Sequence, residues 1–196
     1  MAARRSQAHW LLSALILVAI GIAAAGLSSV LSDVAWWFMF MLVTLVVLLA
    51  AAIVRSTARH RVWASVAGLG AAVASITLLF APGTALLGII PTFATFDAFH
   101  QLELEGTTSI SAQSLPADAD KGIVYLICLG AAAIALAADT VAHQFRTPAL
   151  VGVPLLALLL VPSLVRAELS NALVFMLTAV AWLAIMLVGS RPRRFA

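Results

Sequence analysis

Two groups of residues in this sequence have the type and spacing to do chemistry. The first is Ala131, Ala135, Asp139 and His143, which repeat every four residues along a largely apolar run. Residues four apart are neighbours on one helix face. Asp139 and His143 would therefore share the side that small alanines reserve for close packing against another helix. An acid at membrane depth is a candidate functional group. Asp139 could be a coupling-proton site, or it could pair at the membrane boundary with His143, Arg146 or an Arg of a neighbouring loop. The second group is Asp97, His100 and Glu103, whose three-residue spacing would suit a metal site on a helix. Glu103 falls about 60° around from His100 at 3.6 residues per turn, so the alternative is a solvated face. Cys128 lies alone in an apolar segment, without a partner for a disulfide or a thiolate metal site.

Other catalytic templates find no residues to fill them. An intramembrane aspartyl protease needs two acids sharing a site, and Asp139 is the one acid near a helix interior. A rhomboid-like serine protease needs a Ser and a His within the bundle, whereas all four His fall at span ends or in loops. There is no Gly-rich phosphate loop, no HExxH and no Cys-His pair with an acid. No cofactor and no resident metal is expected.

The elements that must position these residues follow from composition. Of 196 residues, 64% are apolar and 10% charged, with a mean hydropathy of +1.13. Soluble domains carry about 25% charged residues, so too few charges remain here to cover a water-facing surface. Disorder needs the opposite composition. The expected fold class is all-α, a polytopic integral membrane protein of six transmembrane helices in one domain, 1–196. The spans are expected at about 10–31, 34–54, 62–80, 122–140, 148–165 and 171–188. The Ala23-Ala24-Ala25 stretch could pass as a signal-peptide cleavage site, but the run around it is span-length, which favours an uncleaved anchor. Thr147-Pro148 should open the fifth span as N-cap and first helical residue. No internal repeat is visible.

Charge sets the direction. With both termini cytoplasmic, Arg4, Arg5, Arg55, Arg59, Arg61, Arg146, Arg191, Arg193 and Arg194 lie inside, and only Lys121 and Arg166 outside. All acids except Asp139 then fall outside. Trp10 and Trp63 sit at inner ends and Trp36 and Trp37 at an outer end, as interfacial belts require. This sorting accounts for the pI near 10 without a nucleic-acid partner. The expected location is the plasma membrane, with the lipid bilayer as first partner.

The extracytoplasmic segment, 81–121, is the one place for function outside the bilayer. Its apolar start, punctuated by Pro82, Gly83, Gly88 and Pro91, suits a re-entrant or interface-lying segment. A short helix should follow, with Thr92 as N-cap and Gly106 past its end. Phe96, Phe99 and Leu102 would share one side, and Asp97, His100, Gln101 and Glu105 the other. Such a helix would lie on the outer face with its phenylalanines down. From Thr107 to Asp120, small and polar residues indicate a mobile loop.

The stretches FAPGTALLGIIPTFATFDAFHQLELEG and RTPALVGVPLLALLLVP carry a resemblance. An apolar run ending in Leu-Leu-Gly-x-x-Pro-Thr, an acidic outer loop and a Pro-Ala-Leu-x-Gly-x-Pro-Leu-Leu-Ala-Leu helix resemble the N-terminal membrane domain of actinobacterial transglutaminase-like (TgpA-type) membrane proteins. The resemblance spans roughly Phe80 to Pro162 by motif and the rest by topology. It implies a membrane domain that precedes an extracytoplasmic domain with a Cys-His-Asp triad. Cys128 sits in a span, so it cannot be that nucleophile, and no catalytic residue carries over. With the last residues SRPRRFA inside, an outer domain would need a further span beyond residue 196. The chain would then be the N-terminal piece of a longer protein, or a shortened stand-alone relative.

The expected role is a non-catalytic anchor and platform, partnered by a downstream extracytoplasmic domain or other membrane subunits. The alternative is a small secondary transporter or carrier component that uses Asp139 and the Ala81–Pro91 segment, although transporters usually gather more polar groups at the midplane.

Overall fold

In the computed structural model the described residues are 2–57, 60, 62–112, 117–145, 147–165 and 171–189, with side chains except those of 2–8, 164 and 165. The expectations for Arg59, Arg61, Arg146, Arg166, Arg191, Arg193 and Arg194, and for the side chains of Arg4 and Arg5, lie outside the described residues. In lipid every backbone group must be satisfied internally, which a helix does within its own segment. The chain accordingly folds as helices: α1 (Ala2–Ala25), α2 (Ala35–Thr57), α3 (Val62–Phe80), α4 (Phe93–Ala112), α5 (Lys121–His143), α6 (Gly152–Val165) and α7 (Ala172–Gly189). Among the described residues there is no strand, only isolated bridges between Leu31 and Ala117 and between Leu86 and Ile90.

Among the described residues, five stretches are long and apolar enough to cross a membrane: His9–Ser29, Ala35–Thr57, Val62–Phe80, Lys121–His143 and Ala172–Gly189. The expected span at 148–165 differs. It is a 3-10 turn, Pro148–Val151, followed by 14 residues of α6. At 1.5 Å per residue α6 is about 21 Å long, against a hydrocarbon core of about 30 Å. Thr147 makes no side-chain cap, and the α-helix starts at Gly152. The Trp182 indole packs on the backbone there. It donates to the Ala149 carbonyl at 3.0 Å, and a Cβ on Gly152 would lie 2.9 Å from its Nε1. Pro162 further removes one ladder donor near the helix end.

The interior is built around α1, α2 and α5, with α3 and α7 more peripheral. The buried stripe of α2 runs Trp36, Phe40, Val43, Val47 and Ala51, at helical spacing. Trp36 is therefore not an interfacial belt residue: it is 1% exposed and fills the core. Hydropathy alone does not distinguish a belt tryptophan from a core one, whereas the 3.6-residue stripe does. Trp10 and Trp63 are exposed. On α5, Ala131, Ala135, Asp139 and His143 are all buried, and Gly68 of α3 approaches Leu136, Ala51 and Val47 closely.

The helix α4 departs most from expectation. It does not stop before Gly106 but continues to Ala112, so the part of the expected loop from Thr107 to Ala112 is helical. Gly106 is a crossing point rather than a C-terminal stop. A Cβ there would meet the Gly122 carbonyl oxygen of α5 at 2.7 Å. Phe99 stacks on Tyr125 at 5.4 Å, and Phe80 meets the same ring edge-on at 5.4 Å. Phe96 stays exposed, so the phenylalanines do not share one environment. After the segment 113–116, outside the described residues, Ala117 is tied to the α1–α2 turn. Its N–H donates to Val30 O at 2.9 Å, and its carbonyl accepts from Ser32 N–H at 3.1 Å. The Ser32 hydroxyl also donates to Asp118 at 2.8 Å.

Candidate functional site

The last turn of α2 brings Arg55 onto the buried stripe, four residues beyond Ala51. Sequence reading places Arg55 in a loop, but the helix runs on to Thr57, and α5 likewise runs three residues past the expected Thr140, to His143. These two extensions make the site. The Arg55 guanidinium donates to the Asp139 carboxylate, with the two side chains only 10% and 3% exposed. His143 Nδ1 lies 3.2 Å from the other Asp139 carboxylate oxygen and 3.2 Å from the Asp139 backbone carbonyl oxygen. His9 of α1 brings its ring to 5.8 Å from that of His143. Beside them, the Gln144 amide donates to the Ser65 hydroxyl, which in turn lies 3.3 Å from the Thr140 hydroxyl. Residues from α1, α2, α3 and α5 thus meet at one end of the bundle.

A buried charge is tolerated when it is paired and hydrogen-bonded, and here acid and guanidinium come from helices that pack along each other. The pair fixes the register of α2 on α5. Ser65 is held by Gln144 and Thr140, so its hydroxyl serves packing between α3 and α5. What the arrangement can do is clamp helices. An arginine of a neighbouring loop was one of the expected partners of Asp139, but Arg55 was not singled out; the signal was an arginine on the continuation of an apolar stripe, opposite an acid on an alanine stripe.

Asp97 and His100 lie elsewhere, on exposed α4. His100 Nδ1 comes only to 4.0 Å from Glu103, with both side chains more than half exposed. Among the described residues no three of His, Cys, Asp and Glu converge as metal ligands. Cys128 is fully buried as a free thiol.

A second polar cluster lies at the opposite end; of its members the sequence reading names only Thr92, as the N-cap, and α4 does begin at Phe93. The Thr84 carbonyl accepts from the hydroxyls of Thr92 at 2.6 Å and Thr95 at 3.0 Å. The Thr95 hydroxyl also accepts the Thr92 N–H at 3.0 Å, in the manner of a capping box. These three threonines pin the start of α4 to the 3-10 turn Pro82–Thr84 that follows α3.

Comparison with known proteins adds the family. No curated protein and no solved structure matches the chain. The model of one family, described as TgpA N-terminal domain, matches residues 9–196, a wider stretch than the motifs between Phe80 and Pro162. It covers the Arg55–Asp139–His143 cluster, the three threonines and all the helices from His9 onwards, so the chain belongs to the TgpA N-terminal domain family.

Proposed function

We propose that this chain is a non-catalytic membrane anchor and platform, the N-terminal part of a transglutaminase-like system at the cell envelope. The family match across residues 9–196 carries this reading. The geometry supports it, because the buried charges clamp one helix to another. In this reading the five long apolar helices are joined by the short sixth, Pro148–Val165, which tilts little or locally thins the bilayer. Both termini face the cytoplasm, where the arginine excess collects, and α4 lies over the outer face. The bilayer is one partner. The other is a transglutaminase-like domain, on the same polypeptide or on a second membrane subunit. Arg55 beside Asp139 favours the clamp over a coupling-proton site, so Asp139→Asn should leave reconstituted vesicles without proton-coupled flux, like the wild type.

The test is to tag the native gene near its N-terminus and solubilise membranes in mild detergent. The size of the tagged polypeptide and the proteins that stay with it are then determined by mass spectrometry. Peptides of a transglutaminase-like domain, in the same chain or at stoichiometric yield, are the expected result. A tagged species of about 20 kDa with no such domain attached would overturn the platform reading.

A further inference from the structure

Between α3 and α4 the chain makes a tight apolar turn. Leu86 and Ile90 pair through Leu86 N–H to Ile90 O at 2.9 Å and Ile90 N–H to Leu86 O at 3.1 Å. Leu87 and Gly88 at its tip both have positive φ, 56° and 73°. Both lie in the left-handed region of backbone space, where glycine and asparagine are the usual occupants. A leucine there is strained, and it gains no packing in return, being 87% exposed. Its neighbours Leu86, Ile89, Ile90 and Phe93 are exposed too. The sequence from Val62 to Phe96 contains no Asp, Glu, Lys or Arg. An outlier of this kind, with an apolar side chain offered outward, points to something outside the chain.

The position of the turn says what that is. A Cβ on Gly88 would lie 3.7 Å from the Leu78 side chain. Leu78 is itself exposed and lies within the apolar stretch Val62–Phe80. The turn therefore folds back beside α3 to a level two residues inside the end of that helix, continuous with the lipid-facing surface of α3. Its cross-turn hydrogen bonds satisfy part of its own backbone, as an apolar surrounding requires. The threonine knot at Thr84, Thr92 and Thr95 fixes it in this attitude. We infer that the 85–91 turn inserts into the adjacent leaflet at the boundary of headgroups and acyl chains, with Leu87 at its tip. The depth is shallow, as for an interfacial anchor rather than a span.

The 196 residues with Cys128→Ala carry no thiol, so Leu87→Cys in that background takes a single environment-sensitive nitrobenzoxadiazole label. In phosphatidylcholine–phosphatidylglycerol liposomes, insertion predicts blue-shifted emission and quenching by lipids spin-labelled near the headgroup. Iodide should quench it about threefold less than the same label at Asp97→Cys on exposed α4. Emission and iodide access equal to those at position 97 would overturn the inference, because the turn would lie in water. A blue-shifted label that neither quencher reaches would also overturn it, since the turn would then be covered by a second copy of the chain. Leu86→Cys reads the same depth if Leu87→Cys does not assemble.

Discussion

Asp139 holds its place through Arg55. Replacing one member of a buried ion pair leaves the other charge uncompensated, which costs about 3–5 kcal/mol, whereas replacing both by apolar groups of similar volume is close to neutral. Asp139→Asn should therefore lower stability in mild detergent by about 3 kcal/mol, read as a drop in the denaturant midpoint. The pair Arg55→Met with Asp139→Leu should recover most of that loss, and the double-mutant cycle should show strong coupling. Additive effects of the two substitutions would mean that the contact does not carry the clamp. The pairing was half legible from sequence. The four-residue repeat through Ala131, Ala135, Asp139 and His143 marks a packing face, but nothing local says which of many arginines faces it. That answer lies in the stripe of α2, which needs the helix to be carried one turn further than hydropathy alone extends it.

Among the elements, α4 depends on a contact that no local rule describes. Gly106 followed by Thr107 and Thr108 satisfies the rule for a helix end. What makes the glycine necessary is instead the backbone of α5, because a Cβ on Gly122 would sit 2.5 Å from Gly106 N. Gly122→Ala should thus loosen α4 from α5 and destabilise by about 1–3 kcal/mol through overpacking. Gly130→Ala, on the same helix with nothing within 4 Å, should instead stabilise by up to about 1 kcal/mol from helix propensity alone. Limited proteolysis of α4 in the two variants separates them. Equal digestion would mean that the glycine contact does not hold the element. Helices with clear boundary residues were easier to read: α3, between Arg61 and Ala81-Pro82, begins and ends at the expected Val62 and Phe80. The 148–165 stretch is helical over the expected residues but opens as a 3-10 turn, Pro148–Val151, a detail that its uniformly apolar composition does not encode.

For the whole molecule, the membrane class followed from the scarcity of charge, and the exposed leucines, valines and phenylalanines around α2, α3 and α7 agree with it. Direction belongs to the same scale, because the Arg55–Asp139 cluster and the acids around Asp33 and Asp118 sit at opposite ends of the bundle. Alkaline phosphatase fused after Ala112 should be active, and fused after Ala196 inactive, with a fluorescent protein giving the reverse pattern. The opposite result would invert the whole bundle. What remained illegible at this scale was how the two ends are closed. Arg55 with Asp139, and Thr84 with Thr92 and Thr95, depend on pairings across elements that periodicity does not encode.

The 84 residues that separate Arg55 from Asp139 also set a clock. At synthesis rates of about 5–20 residues per second, α5 emerges some 4–17 s after α2. For that interval Arg55 has no acid to meet, and its long side chain must reach back to the water at the helix end, as arginines near membrane boundaries do. The acid then arrives into a membrane where its counter-charge is already waiting. The order of manufacture thus spares the bundle a period in which Asp139 would be buried alone.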